Sequence, residues 1–360
     1  MVNNKMGISP LVPGENGIIG TMEYEMKDKS VADIDIKVNP EPTEDYQKAM
    51  YDTIRNFEID AWSPKSDGLK TGFTTIDKAF DGGLKNGFII IAADSNVGKT
   101  AFMSQMAWQV VENNKDVYVM DFSLDDPMED KIPRIVASNS RVVINSVKNP
   151  QKYMNNPNML KRRTMGLARL YNRTDKYLIR DASFTTDIET IEEEIIRMKV
   201  EFERLGVDKR IVVFIDNFHD LTTKEHPNYQ DKQKYDHIAQ KCADIAIKYK
   251  IPLVCTAEFR KMNGSFRPTL DSIRESVKIK YEAKAILLCH NEVHYKGEGA
   301  DVYFEREDKP DQKQPVFEIH FAKNKISSFK GRLFFESYPE MAYMTECDDN
   351  TTKSYASQIS

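Results

Sequence analysis

Five short apolar runs, separated by amphipathic stretches, constrain this chain more than any other feature. They are FIIIAA at 88–93, VYVMDF at 117–122, IVVFI at 211–215, PLVCT at 252–256 and AILLC at 285–289. A strand with one face in water alternates apolar and polar side chains. A run that is apolar at nearly every position has both faces covered, as in the centre of a parallel sheet. Between the runs, residues 187–205 carry Ile188, Ile191, Ile195, Met198, Phe202 and Leu205 at helical spacing, and 235–249 carry Ile238, Cys242, Ile245 and Ala246. Thr186 and Glu189 have the spacing of a capping box before the first of these helices, and Gly206 is placed to stop it. Strands alternating with helices predict an α/β fold with a doubly wound, mostly parallel sheet. Near the end the rhythm changes. VFEIHFA at 316–322 and RLFFE at 332–336, joined by a basic turn, predict a C-terminal antiparallel hairpin.

Composition narrows the setting. With 360 residues, 40% hydrophobic and 30% charged, the chain has the material for a large packed domain and not for wholesale disorder. No apolar run approaches the ~20 residues of a membrane span, and residues 1–17 lack a signal-peptide pattern. Cys242, Cys255, Cys289 and Cys347 are widely spaced, which predicts reduced thiols and a cytoplasmic protein. The net charge of −5 excludes a general cationic coat. It leaves a local basic patch for nucleic acid open.

Four segments are expected. Residues 1–42 are polar, with Pro10, Pro13, Pro40 and Pro42, and predict a partly disordered arm. Residues 43–62 predict a helix, with Thr43 as N-cap, Glu44 and Asp45 in the first turn, and a stripe of Tyr46, Met50, Ile54 and Phe57 that must be buried somewhere. Residues 63–345 form the body, and the polar residues 346–360 predict a disordered tail.

The octapeptide Ala93-Asp94-Ser95-Asn96-Val97-Gly98-Lys99-Thr100 follows the first apolar run and opens a helix. This is a P-loop with alanine in place of its first glycine. Its backbone N–H groups and the helix N-terminus cradle phosphates, Lys99 reaches the terminal ones, and Thr100 is placed for Mg²⁺. Asp216, ending IVVFI, is the acid expected to complete the metal site. ATP and Mg²⁺ are the expected ligands. His290 and His294, spaced i and i+4 around Glu292, follow a strand without an evident third ligand and are read as structural. His219 is read as a strand-end polar contact.

A longer series of motifs then appears in order. It begins with Thr71-Gly72-Phe73-Thr74-Thr75-Ile76-Asp77, Gly82-Gly83-Leu84-Lys85-Asn86-Gly87 and the P-loop. It continues with Phe122-Ser123-Leu124, Tyr177-Leu178-Ile179-Arg180-Asp181 and Asp216-Asn217-Phe218. It ends with Arg267-Pro268-Thr269-Leu270-Asp271-Ser272-Ile273-Arg274-Glu275-Ser276 and Ala322-Lys323-Asn324-Lys325. From about Leu69 to Glu336 the chain resembles the RecA-like motor domain of DnaB-type replicative helicases. The primase-binding N-terminal domain of that family has no counterpart before Leu69.

The resemblance implies an ATP-dependent DNA helicase motor, a homo-oligomeric, hexameric ring translocating on single-stranded DNA during replication, with a phage setting as a guess. It makes Asp125 the acid that polarises water and places Glu258 where the family has a glutamine. Lys323 and Lys325 become the residues that reach a neighbour's ATP. Arg267, Arg274, Glu275, Ser276 and Lys278 become the DNA contacts, within a stretch rich in Arg and Lys between 260 and 284. The 43–62 helix becomes a linker docking on the adjacent motor. Three departures bear on rate: Asp125 in place of glutamate, Glu258 in place of glutamine, and Lys325 in place of arginine. Together they support an alternative, a helicase-like ATP-binding switch with weakened hydrolysis that loads, caps or inhibits a replicative helicase. A recombinase filament is a third reading, which the RP-x-L stretch disfavours.

Overall fold

A computed structural model describes residues 19–27, 31–39, 45–61, 68–260, 267–274 and 277–359. It divides into two compact units, Met1–Gly68 and Leu69–Ser360. In the first, β1 (Ile19–Lys27) pairs antiparallel with β2 (Val31–Asn39), Lys27 facing Val31 and Ile19 facing Asn39. The expectation of an irregular arm is therefore corrected over these strands. Their sequences alternate in period two, with Met22, Tyr24 and Met26 in one and Ile34, Ile36 and Val38 in the other. Helix α1 (Asp45–Ala61) follows. Its expected cap, Thr43, lies outside the described residues. The predicted stripe is exposed, from 47% at Ile54 to 71% at Tyr46.

The second unit is built on a ten-stranded sheet. Its strands are β3 (Gly87–Ala93), β4 (Val117–Ser123), β5 (Tyr177–Asp181), β6 (Arg210–Asp216), β7 (Pro252–Glu258), β8 (Ala285–Asn291), β9 (Tyr303–Arg306), β10 (Lys309–Asn324), β11 (Arg332–Tyr338) and β12 (Tyr343–Glu346). The order is β12-β11-β10-β8-β3-β7-β6-β4-β5, with β9 beside β10. Strands β8 through β5 in this order are parallel; β9, β10, β11 and β12 pair antiparallel. Every residue of β3 and β4 is buried.

Both faces of the sheet are covered, which explains the unbroken apolar runs. Around the sheet lie α2 (Thr74–Ala79), α3 (Lys99–Asn113), α4 (Met128–Ser140), α5 (Ile144–Lys148), α6 (Pro157–Tyr171), α7 (Ile188–Leu205), α8 (Asp231–Lys248), α9 (Val277–Glu282), α10 (Glu292–Lys296) and α11 (Asp349–Gln358). Phe88, Ile90 and Ala92 share a core with Ile191 and Ile195 of α7 and Ile238 and Ile245 of α8. Their neighbours Ile89, Ile91 and Ala93 join Phe102, Met106 and Val110 of α3 on the other side. Each fully buried isoleucine contributes about 1.5–3 kcal/mol.

Two local expectations are corrected. Asp187, not Thr186, is the N-cap of α7, without a side-chain bond, while Glu189 accepts from Thr223 Oγ1 and the Lys224 N–H. The capping-box pair is thus used to hold the loop after β6. Gly206 does stop the helix, in left-handed conformation (φ 63°). The tail expected to be disordered forms α11. Asp348 caps it by accepting from the Thr351 N–H (2.7 Å), and Tyr355 is buried against Phe334. One apolar anchor and one cap suffice there, too few to register as a periodic stripe.

Candidate nucleotide-binding site

The P-loop turns between the end of β3 and the start of α3 at Lys99. Gly98 sits at φ 117°, and a Cβ there would come within 3.0 Å of Met344 Cε, so the turn requires glycine twice over. Asp94 accepts from the Ser95 N–H (2.9 Å) and from Tyr295 Oη (3.4 Å). A cavity of about 450 Å³ opens over the turn. Its lining includes Ser95, Asn96, Val97, Gly98, Lys99 and Thr100, facing Asp125, Asp126, Arg134 and Glu258.

Sheet register brings the acids together. Ala93 is level with Glu258, and Ser123 with Asp216. The buried Lys99 points its ammonium at Glu258, Nζ to Oε1 3.6 Å, and Ser95 Oγ donates to the same oxygen (3.4 Å). The carboxylate standing where the family has a glutamine is therefore lysine-paired. Asp216 is fully buried, accepts from Thr256 Oγ1 through Oδ1, and leaves Oδ2 without a hydrogen bond. Burial, reinforced by Asp216 and Asp126, holds the Asp125 carboxyl above the usual aspartate range, although Lys99 pulls it down. Asp220 is raised likewise, by burial and by the charges of Asp125 and Glu258.

Such a crowd of oxygens, one of them orphaned, suits a hard divalent cation. Among the described residues the fit to Mg²⁺ rests on Thr100 and Asp216, as all their donor atoms are oxygens.

Sequence reasoning missed several lining residues. Arg134 binds both carboxylate oxygens of Asp126, leaving Asp125 as the acid beside Lys99 and Asp216. Arg134 is carried by α4, which is bolted to the sheet by Lys131: its Nζ lies 2.7 Å from Asp121 Oδ1, both side chains essentially inaccessible, and Tyr177 Oη donates to Oδ2 (2.8 Å). That triad explains the aspartate inside the apolar run at 117–122. Asn291, Tyr343 and Met344 come from distant strands and line the cavity's other side. No local motif marks any of them.

His219 joins two regions. Its Nδ1 accepts from the Glu258 N–H (3.2 Å), so the neutral ring carries its proton on Nε2, which donates to the Arg274 carbonyl (3.3 Å). Arg274 in turn reaches back to Glu258 (3.9 Å).

The remaining expected residues lie apart from the cavity. Lys323 pairs with Ile286 and thereby lies level with Ile90, midway along β3. Its ammonium donates to the carbonyls of Lys280 and Tyr281, and burial, aided by Lys325, lowers its pKa. The Lys325 N–H donates to the Lys284 carbonyl (2.9 Å). Neither lysine lines the cavity over the P-loop. Glu275 and Ser276 lie outside the described residues. Lys278 pairs with Glu282 (2.9 Å) on α9. Arg267, expected as a DNA contact, has its guanidinium held by the buried carboxylates of Glu292 and Glu318, 2.9 Å each. His290 is buried with both ring nitrogens unpaired, and burial pushes its pKa down to about 4, so it is a neutral ring stacked on Tyr295.

Residues 68–335 match the model of the DnaB-like helicase C terminal domain. The chain belongs to that family. It is 24% identical over 264 residues to the "Probable replicative DNA helicase" of Trieres chinensis, covering 72% of this chain and 53% of that protein. It is 23% identical over 317 residues to the "Replicative DNA helicase DnaC" of Bacillus subtilis, covering 85% and 64%. The chain thus spans between half and two thirds of the length of these relatives. The solved structure of the "ATPase Domain of G40P" superposes with a TM-score of 0.69 at 19% identity, over 86% of this chain and all of that one. The likeness establishes the RecA-like fold expected from the motif series, with the parallel sheet and antiparallel edge described above. Among the described residues, no helix is long and apolar enough to cross a membrane.

Proposed function

We propose that this chain is an ATP-driven motor subunit that assembles with copies of itself into a hexameric ring and moves along single-stranded DNA in replication. The observation that carries this reading is the His219 bridge. It ties Glu258, which neutralises the P-loop lysine, to Arg274 on the basic segment, so a change at Lys99 has a short polar route to that segment. ATP phosphates compete with Glu258 for Lys99. Asp125, held in a raised pKa range, is the base that takes a proton from the attacking water. The water oxygen bonds to the γ-phosphorus as the bond to the leaving ADP oxygen breaks. Mg²⁺, when bound by Thr100 and Asp216, neutralises developing phosphate charge. Ile144, Pro339, Ala342 and Met344 give the cavity an apolar side suited to a base.

Two further features support assembly. Lys323, held at the carbonyls of α9, and Lys325, beside Lys284, do not line the cavity over their own P-loop, which leaves a neighbour's nucleotide as their target. The α1 stripe is exposed and suits docking on an adjacent motor domain. DNA contact falls to Arg274, Lys278 and the adjoining Glu275 and Ser276. The test is the ATPase rate with and without single-stranded DNA, with Lys99→Ala as control and a mass measurement in ATP. DNA-stimulated turnover by a ring supports the motor. ATP binding without turnover in either condition overturns it.

The Lys99–Glu258 pair favours a second reading, an ATP-binding switch acting on another replication protein, with hydrolysis held back by Glu258 and by the short reach of Asp125. Asp125→Glu discriminates: a large gain in turnover supports attenuation, and an unchanged or lower rate supports the motor.

A further inference from the structure

Away from the nucleotide cavity, the loop between β6 and α8 brings two imidazoles and a carboxylate together. Glu225 and His226 stand on the loop and His237 on the second turn of α8. One potential ligand atom from each lies within 4.8 Å of the others. The rings of His226 and His237 are perpendicular, with centroids 4.7 Å apart, and Tyr229 stacks on His226 at 4.3 Å, fixing that ring's plane.

The decisive atom is His237 Nε2. It is withdrawn from water and makes no hydrogen bond. Two carboxylates nonetheless face it beyond bonding distance, Glu225 Oε2 at 3.7 Å and Glu189 Oε1 at 3.8 Å. Buried polar nitrogens are normally partnered. A nitrogen held between carboxylates, with a second imidazole alongside, is arranged for a cation between the groups.

We propose that Glu225, His226 and His237 form a site for a divalent transition metal of the zinc class, with a fourth position open to water. Two imidazole nitrogens with one carboxylate match that class, whereas Mg²⁺ and Ca²⁺ prefer oxygen throughout. Zinc bonds of about 2.0–2.1 Å put tetrahedral donors roughly 3.4 Å apart, so the cluster must contract by about 1 Å. Glu225 and His226 stand on a surface loop, Glu225 exposed, where rotation of their side chains can make that adjustment. The competitor is Lys241, 2.8 Å from Glu225 Oε1. It holds only one oxygen, and it has Glu192 at 3.0 Å as a second partner. Glu189 is already bonded to Thr223 and Lys224 and acts from outside the ligand set. The bound metal bolts the loop that descends from Asp216 onto α8.

The test uses the untagged full chain, stripped with a chelator, given Zn²⁺ and passed through gel filtration in metal-free buffer. The expected result is about one equivalent of zinc retained, a rise in Tm with zinc, and ligand-field absorption when Co²⁺ replaces it. His226→Gln, on the exposed loop, should keep the metal-free Tm and lose all three signals. His237→Gln should lose them too. Wild-type protein that emerges without zinc overturns the proposal, as does His226→Gln protein that retains as much zinc as wild type. The outcome is independent of ATPase activity, because Asp216→Asn should retain the zinc while losing turnover.

Discussion

The two ends of the central sheet carry opposite chemistry. At the ends of the parallel strands, Asp125, Asp216, Asp220 and Glu258 crowd around the single ammonium of Lys99. Toward the other end, Lys280, Lys284, Lys323 and Lys325 cluster where β10 meets β8 and α9. The acidic end is where a triphosphate would sit, and the basic end carries positive charge away from it. In the proposed ring, the basic end of one subunit would meet the acidic end of the next.

This contrast can be broken deliberately. The largest effect is expected at the acidic end, where Asp125→Asn should lower ATP turnover by about 10²–10⁴-fold while ATP binding survives, read by steady-state rate and nucleotide titration. At the basic end, Lys323→Ala should cost about 10²–10³-fold. Mixing Lys323→Ala with Asp125→Asn subunits in equal amounts should then restore about a quarter of the interfaces. Absence of any recovery would place both residues in one subunit's site. Removing the competitor by Glu258→Gln should tighten ATP binding by about three- to tenfold, the scale of a partly exposed ion pair.

The smallest effect concerns pH. Asp125 must be ionised to accept a proton, and its raised pKa makes turnover fall, as pH drops, earlier than an ordinary aspartate would allow. Asp126→Asn removes one of the charges responsible and should move that acid limb to lower pH by a few tenths of a unit, about. An unmoved acid limb would mean that burial, not neighbouring charge, is the whole cause. Stability offers a separate check. Lys131→Met leaves Asp121 buried without its cation and should cost about 3–5 kcal/mol in urea unfolding.

The parts of the fold legible in the sequence were those in which one residue type repeats under one physical constraint. β3 reads as a central strand because both of its faces are covered, and α7 because its stripe recurs through 18 residues. Motif order identified the family for the same reason: the P-loop, Asp216 and the strand carrying Glu258 are consecutive parts of one sheet edge. What stayed hidden depends on partners distant in sequence. Arg134 enters the cavity only because Lys131 finds Asp121, and Tyr343 only because β12 extends the antiparallel edge. Arg267 looked like a DNA contact by position, yet Glu292 and Glu318, 25 and 51 residues away, occupy it. α11 shows the complementary limit, since a single buried Tyr355 leaves no period to detect.

The lysine–carboxylate contact in the P-loop gives the pocket a built-in occupant. Glu258 fills the electrostatic place of a phosphate, so inorganic phosphate, sulfate or a stray polyanion must evict it before gaining Lys99. Only a ligand that also engages the backbone cradle and the far wall of the cavity has enough further contacts to do so. In the proposed cycle, the same carboxylate would return to Lys99 after cleavage and help expel the released phosphate.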